Sequence, residues 1–358
     1  MKTDNYTTSG ARVLRGMNIA PDGRIGGEFV YVSEEFADAL GSARLRRGDI
    51  ALPHRGAIGR AALVQADDLV MSTSLMRLRL DPDRAEPRFV AAFLSSPEGE
   101  REILQFASTV GTPGIGQPLA SLRKVTLSIP PLNEQRRIAA ILGAFDDLIE
   151  TNRALSLRLA ELQRADFLNR SNGTTATLGS IADVIMGQSP PGSTYNDRGD
   201  GTPFYQGVRD FGWRFPAQRV WTTAPTRLAQ EGDVLIAVRA PVGEANVATE
   251  TVALGRGVAA VRATGRQGTL LQALTADSSI WDVHQGTGTV FASINKRGMN
   301  DLRIPWVQDD DLETRLTAAN LAIRGLHDEI ADLTRARDEL LPLLMSGKVR
   351  VDDVEVAA

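Results

Sequence analysis

The chain has 358 residues, of which 42% are hydrophobic and 23% charged, with a formal net charge of −4 and no cysteine. That length supports two ordinary domains, and the lack of cysteine excludes disulfides and thiolate metal sites, a usage expected of a cytoplasmic protein. No signal-peptide pattern opens the sequence and no apolar run reaches membrane-spanning length, so no membrane partner is expected.

The net acidity argues against a nucleic-acid partner until its distribution is read. The last fifty residues carry 6 basic against 12 acidic side chains, whereas residues 1–132 carry 16 against 15. Only four of the 40 basic residues are lysine, Lys2, Lys124, Lys296 and Lys348. Arginine suits bidentate contacts with phosphates and guanine edges, although a GC-rich genome produces the same usage.

In chain order, residues 1–132 read as a head of short strands separated by glycine turns, with a helix at Pro87–Leu94. It holds RVLRGMNI (Arg12–Ile19), LRRGDIALPHRGAIGRAALV (Leu45–Val64) and GTPGIGQPLASLRKVTLSIP (Gly111–Pro130). Residues 133–170 follow as a helix, in which Ile138, Ile141, Phe145, Leu148, Asn152, Leu155, Leu159 and Leu162 step by three and four in a heptad seam.

Residues 171–308 then write the first head again. They open on GQSPPGSTYNDRGDGTPFYQG (Gly187–Gly207), whose prolines and glycines exclude a helix or core element and predict a working surface loop. PFYQGVRD (Pro203–Asp210) has the shape of RVLRGMNI, and Gly48/Gly232, Asp49/Asp233 and Gly59/Gly243 recur at one offset of 184. Strands are predicted at Asp233–Val238 and Leu302–Ile304; Leu302 and Ile304 match Leu127 and Ile129 of the first head. The first head has no counterpart of Gly187–Gly192, so its opening segment is expected to be shortened.

Residues 309–350 form a second seam, Leu316, Ala319, Ile323, Leu326, Ile330, Leu333, Arg337, Leu340 and Leu344, before an acidic tail at 351–358. Two such seams, each after its own head, predict mutual antiparallel pairing, with polar Asn152 and Arg337 fixing register. The expected fold is α+β: two tandem mixed α/β heads, each followed by a long helix, the helices forming an antiparallel coiled coil with pseudo-two-fold symmetry. From Ile138 to Leu162 such a helix rises about 36 Å, close to one turn of B-DNA.

Catalytic patterns are missing. His54, His284 and His327 are isolated, no GxSxG, GxGxxG or P-loop motif occurs, and the acidic run Asp309–Asp311 reads as a helix cap rather than a metal site. A duplicated chain of this kind is built to bind two things a set distance apart.

GQSPPGSTYNDRGDGTPFYQG, EGDVLIAVRAPVG, RIP and the terminal LLPLLMSGKVRV resemble a target-recognition domain and conserved helix of the DNA-specificity subunit of type I restriction-modification systems. LRGMNI, LRRGDIALPHRGAIG and IPPLNEQRRIAAILGAFDDLIETN resemble the same pattern in the first copy. The resemblance implies a non-catalytic subunit in which each head reads one half of a split, asymmetric duplex site and the helices set the gap. It also implies two adenine-N6 methyltransferase subunits that use S-adenosylmethionine, and a translocating restriction subunit. No cofactor or metal is expected in this chain itself.

Base reading calls for Arg, Asn, Gln and small hydroxyls on loops. In the second head the candidates are Gln188, Ser189, Ser193, Thr194, Tyr195, Gln206, Arg209, Arg239 and His284; in the first they are Arg15, Asn18, His54, Arg55 and Thr112. Glu134, Gln135 and Arg136 either face the methyltransferase subunit or cap the helix. The alternatives are a related bipartite system with a fused methyltransferase and nuclease partner, an enzyme of unrecognised type, and a coiled-coil scaffold.

Overall fold

Short runs of valine, isoleucine, leucine and alanine bounded by glycine turns become strands in both heads, in a computed structural model that describes residues 3–108, 113–127, 129–285 and 292–351. The chain divides into two units, residues 1–152 with 329–358, and residues 153–328. Each unit therefore takes one head and one half of each long helix, where the sequence boundaries treat head and helix as separate pieces.

The first head comprises β1 (Ala11–Leu14), β2 (Val30–Val32), α1 (Glu34–Ala39), β3 (Ile50–Pro53), β4 (Ala62–Leu63), β5 (Leu69–Met71) and β6 (Leu75–Leu78). These are followed by α2 (Pro87–Ser95), α3 (Pro97–Leu104), the hairpin β7 (Ala107–Ser108) with β8 (Gly114–Ile115), and α4 (Pro118–Leu122). β1 lies between antiparallel β2 and parallel β5, and β3 between antiparallel β4 and β6. Ile50, Leu52, Phe89, Val90 and Leu94 form one core with Ile138 and Leu142 of α5 (Leu132–Arg170) and with Leu341 and Leu344 of the second long helix.

The second head comprises β9 (Thr175–Thr177), α6 (Leu178–Ile181), β10 (Asp183–Met186), β11 (Tyr195–Asn196), β12 (Thr202–Tyr205), β13 (Trp221–Thr222), β14 (Leu228–Ala229) and β15 (Val234–Ala237). It continues through β16 (Ala245–Val247), β17 (Val252–Leu254), β18 (Val258–Arg262), α7 (Gln267–Thr275), α8 (Lys296–Asp301) and β19 (Arg303–Pro305) into α9 (Asp310–Met345). One sheet runs β10-β18-β15-β16, another β11-β13-β12-β17-β14, and β19 pairs with β9. Phe167 of α5 and Leu312 and Leu316 of α9 join its core.

The duplication is visible bond for bond. Parallel β1·β5 is matched by β12·β17, and β4-β3-β6 by β16-β15-β18. Asp49, just before β3, accepts from Arg46 N at 2.9 Å and from Arg79 Nε and Nη2 at 2.6 Å. Asp233, just before β15, accepts from Gln230 N at 2.8 Å and from Arg262 Nε and Nη2 at 2.7 and 2.6 Å. The preceding glycines, Gly48 (φ +89°) and Gly232 (φ +85°), make the turn that aims each carboxylate inward. Burial alone raises the Asp49 carboxyl; the bonds from Arg79 and the Arg46 N–H outweigh it and hold it below the usual range.

The second head has two strand positions that the first does not match among the described residues. β18 is flanked by β10, while β6 pairs only with β3. β19 is a strand because β9 lies beside it, whereas Ile129, the counterpart of Ile304, is in no strand. Ile129 is accordingly 42% exposed where Ile304 is fully buried. Val349 and Val351, placed by the sequence reading at the border of an acidic tail, pack against the first head's core; the remaining tail residues lie outside the described ones.

Within each unit the two helix halves pair antiparallel. Arg337 Nη1 bonds Asp146 at 2.8 Å in the first unit, and Arg315 Nε bonds Asp166 at 3.0 Å in the second. The α9 seam follows the expected positions, with Leu316, Ile323 and Leu344 buried. On α5, Ile138, Ile141 and Asn152 face inward as expected, but from Leu148 on the alternate positions are one residue later: Ile149, Ser156 and Gln163 are buried. Leu148, Leu155 and Leu162, read as seam, are 50%, 48% and 61% exposed. The apolar pattern misled because Gln163 goes inside with partners of its own: its Nε2 donates to Leu316 O and Asn320 Oδ1, both at 2.9 Å.

Replacing either buried carboxylate, Asp49→Asn or Asp233→Asn, leaves an arginine without its counter-charge at the root of a central strand. Because the arginine is partly solvated, each substitution costs about 2–3 kcal/mol, read as a lowered denaturant midpoint of the unit that carries it.

Candidate nucleic-acid interface

In the second head three backbone segments cross at the ends of the central strands: Gly187–Gln188 after β10, Gln206–Gly207 after β12, and Gly255–Gly257 between β17 and β18. Gly187 N donates to Val258 O, Gln188 N to Leu254 O, Gly255 N to Tyr205 O and Val238 N to Gly257 O, at 2.8–3.0 Å. The crossing requires glycine. A Cβ on Gly187 would stand 2.1 Å from Gly255 O, and one on Gly257 2.1 Å from Gln206 O.

From this crossing Gln188, Gln206 and Arg239 emerge exposed, as does Arg209 on the turn Val208–Asp210. Asp210, buried, holds that turn by accepting from Gln206 N at 2.7 Å. The loop before it is fixed by its own side chains. Tyr195 Oη donates to Pro190 O at 2.9 Å, Thr194 Oγ1 donates to Pro191 O and meets Thr222 Oγ1, both at 2.7 Å, and Ser189 Oγ accepts from Arg256 N at 3.3 Å. Thr194, Tyr195 and Ser189 thus build the loop, and Ser193 is left exposed on it. His284 is half-buried at the end of the turn Ser278–His284, beside Gln285, whose Nε2 donates to Val242 O at 2.7 Å.

The first head builds the same crossing with fewer glycines. Ser72 N donates to Leu14 O and His54 N to Ser74 O, each at 2.9 Å, and a Cβ on Gly16 would lie 3.7 Å from Arg55 O. Arg15, His54 and Arg55 are brought together here. Arg55 stands at the same place as Arg239: each follows the central strand, is exposed, and is bridged to a later segment, to Gly114 and Ser293 respectively. Arg15 Nη2 donates to Glu28 O at 3.1 Å, and His54 Nε2 lies 3.0 Å from Thr73 O. His54 and Arg55 also line a cavity of about 630 Å³ with Ser108, Gly114 and Ile115. Thr112 lies outside the described residues.

Two expectations change. Asn18 is 2% exposed, and its amide is engaged by Arg15 N, Gly26 O and Glu28 O at 2.9–3.1 Å, so it ties the loop together instead of being presented. Gln135 is 1% exposed and serves its own head: Oε1 accepts from Glu86 N at the start of α2, while Nε2 donates to Arg84 O and Pro130 O. Glu134 pairs with Arg137 at 3.2 Å, and Arg136 is exposed.

Residues outside the predicted set also shape the site. Arg256 is exposed at the crossing between Gly255 and Gly257; an arginine between two glycines after a strand was the available signal. Glu313 does for the second head what Gln135 does for the first, accepting from Gly268 N, Thr269 N and Thr269 Oγ1 at 2.7–2.8 Å. Arg214 reaches from the second head to Gln163 Oε1 at 2.5 Å and Asn320 Oδ1 at 3.0 Å, and burial lowers it to about 10, so it stays charged at neutral pH. No signal in the sequence marked either. Asp309 caps α9 as expected, accepting from Asp311 N and Leu312 N at 3.0 Å. Among the described residues no group of three or more His, Asp or Glu is placed to hold a metal, and no helix is long and apolar enough to cross a membrane.

Residues 9–161 match the family model of the type I restriction modification DNA specificity domain. A type I restriction enzyme specificity subunit of Methanocaldococcus jannaschii is 28% identical over 355 residues, covering 90% of this chain and 83% of that protein. Among solved structures, a type I restriction-modification S subunit from M. genitalium has a TM-score of 0.57 at 17% identity, covering 95% of this chain and 93% of that one. An HsdS subunit from Thermoanaerobacter tengcongensis is 26% identical with a TM-score of 0.37, covering 95% and 91%.

Substituting Gly257→Ala forces the crossing apart and destabilises the second unit by more than about 2 kcal/mol. The matching position in the first head already carries a side chain, so Ser74→Ala stays within about 1 kcal/mol; denaturant unfolding of the two variants measures the contrast.

Proposed function

Because this chain belongs with the type I restriction-modification specificity subunits, we propose that its two heads read the two halves of a split duplex site and that the chemistry is done by partner subunits. The observation that carries this reading is the duplicated strand-end crossing, which presents an exposed arginine, Arg55 or Arg239, at the same place in each head. A planar guanidinium on a fixed backbone is the side chain best able to take a guanine edge in the major groove. Gln188 and Gln206 offer the matching chemistry for adenine, and Ser193, Arg209 and Arg256 complete the second head's exposed polar set.

Two adenine-N6 methyltransferase subunits carrying S-adenosylmethionine, and a translocating nuclease subunit where cleavage is required, act at the address this chain supplies. The unbroken helices α5 and α9, which run from one unit into the other, fix the number of base pairs between the half-sites. Leu155 and Leu162, two exposed leucines seven residues apart on α5, form the line on which a methyltransferase helix docks.

Arg55→Ala and Arg239→Ala each weaken specific binding by about 1–3 kcal/mol and relax sequence preference in one half-site only, a different half for each. Selection from a randomised duplex library reads both halves at once, and an unchanged preference in both variants would remove these arginines from base reading. Leu155→Glu with Leu162→Glu abolishes co-purification of the methyltransferase subunit while leaving DNA binding by the free chain within twofold of wild type.

A further inference from the structure

At the end of β3 opposite to His54 and Arg55, the first head has a second cavity of about 770 Å³ lined by Arg44, Arg46, Arg47, Arg77 and Arg79, with Asp67 among the other wall residues. Three of these guanidiniums are not paired with a carboxylate among the described residues. Arg44 is bound to Glu34 and Asp38, and Arg79 to Asp49. Arg46 and Arg47 are exposed without an ion pair, and Arg77 spends only Nη1, on the carbonyls of Ser42 and Arg44 at 2.9 and 3.4 Å. Against them stand two carboxylates of the wall, Asp67, which accepts from Arg47 N, and Asp38, which Arg44 already binds.

The second head shows that the fold does not need these three charges. It keeps the buried pair as Asp233 and Arg262 but has Gln230 and Glu231 where the first has Arg46 and Arg47. In the strand register Ala51 faces Arg77 while Leu235 faces Ala260, so the third arginine is an alanine there. The charges that build the turn are therefore common to both heads, and the surplus belongs to the first alone. Guanidiniums that converge on one concavity without ion pairs of their own repel each other, and an anion between them relieves that repulsion.

We propose that this pocket binds phosphate groups through Arg46, Arg47 and Arg77, with planar guanidiniums meeting phosphate oxygens in the bidentate geometry that lysine does not offer. The phosphates come from a free polyphosphate such as a nucleotide, or from a DNA segment other than the one read at the far end of the strand. The polyphosphate source is independent of the base-reading role of Arg55.

The test uses the full chain and the exchange Arg46→Gln with Arg47→Glu, which installs the second head's own residues in the same turn; Arg46→Gln and Arg47→Gln are made singly in case the double variant melts early. Calorimetric titration with tripolyphosphate, and the salt dependence of binding to a long mixed-sequence duplex, are measured for each, with Arg55→Ala as the control that leaves the pocket intact. A free-polyphosphate ligand gives tripolyphosphate binding to wild type and to Arg55→Ala that is weakened at least tenfold by the exchange. A DNA ligand instead lowers the slope of log K against log salt by about 1.8 for the two lost phosphate contacts. Tripolyphosphate binding and a salt slope that are both unchanged by the exchange overturn the proposal.

Discussion

A carboxylate placed at the root of a buried strand has to be neutralised, and in this chain that requirement is met twice by the same construction. Asp49 and Asp233 are each about 1% exposed, each receives a two-toothed arginine from the antiparallel neighbour strand, and each also accepts a backbone N–H three residues upstream. A buried carboxylate without these partners costs more than one strand can offset. The pair therefore dictates which residue starts the strand, which neighbour lies beside it and in what register. A slip of one residue would carry the carboxylate to the other face and leave the arginine without it. Everything that the heads present lies at one end or the other of that pinned strand: Arg55 and Arg239 beyond its far end, the arginine-lined cavity beside its root.

The long helices are tied to the heads by a second repeated device. The side chain in the first turn of each helix accepts backbone N–H groups from the start of a helix in its own head, Gln135 from Glu86 and Glu313 from Gly268 and Thr269. A carboxylate suits the second case because the N-terminus of α7 carries the positive end of its dipole. A neutral amide suits the first because Gln135 must also donate, to the carbonyls of Arg84 and Pro130. Farther along, Gln163, Asn320 and Arg214 make one buried hydrogen-bonded group that joins the second head to both helix halves within its unit. Such a group is satisfied in one arrangement only, so it sets the register that leucines alone would leave free to slide.

That group also explains where the sequence was misleading. The duplication, the two helices and the strands at Val234–Ala237 and Arg303–Pro305 were legible because glycine turns and β-branched runs are local signals. The leucines predict the α5 seam, but three of its eight positions lie one residue later because Ile149, Ser156 and Gln163 are buried there. No periodicity reveals a glutamine that goes inside to meet an arginine 51 residues away in sequence. The loop candidates fared unevenly for a related reason. Residue type marks what a side chain is able to bind, and Asn18 and Thr194 bind their own loops just as well as they would bind a base. Arg55, Gln206 and Arg239 stay exposed because the backbone beneath them is already satisfied by other backbone.

The unequal heads have an account in the order of the repeat. After α5 the chain turns through Gly173 (φ +82°) and enters β9 with Thr175 and Thr177, which lies against β19 and leaves Ile304 fully buried. After α9 it turns through Gly347 (φ +66°), and Val349 and Val351 follow at the same two spacings. These valines pack against the core of the first head, the head that α9 reaches, just as the residues after α5 serve the second. Each long helix thus delivers the residues that follow it to the head it reaches, as strand β9 after α5 and as a valine pair after α9. Part of what packs on the first head's core thus follows the last helix, outside residues 1–132.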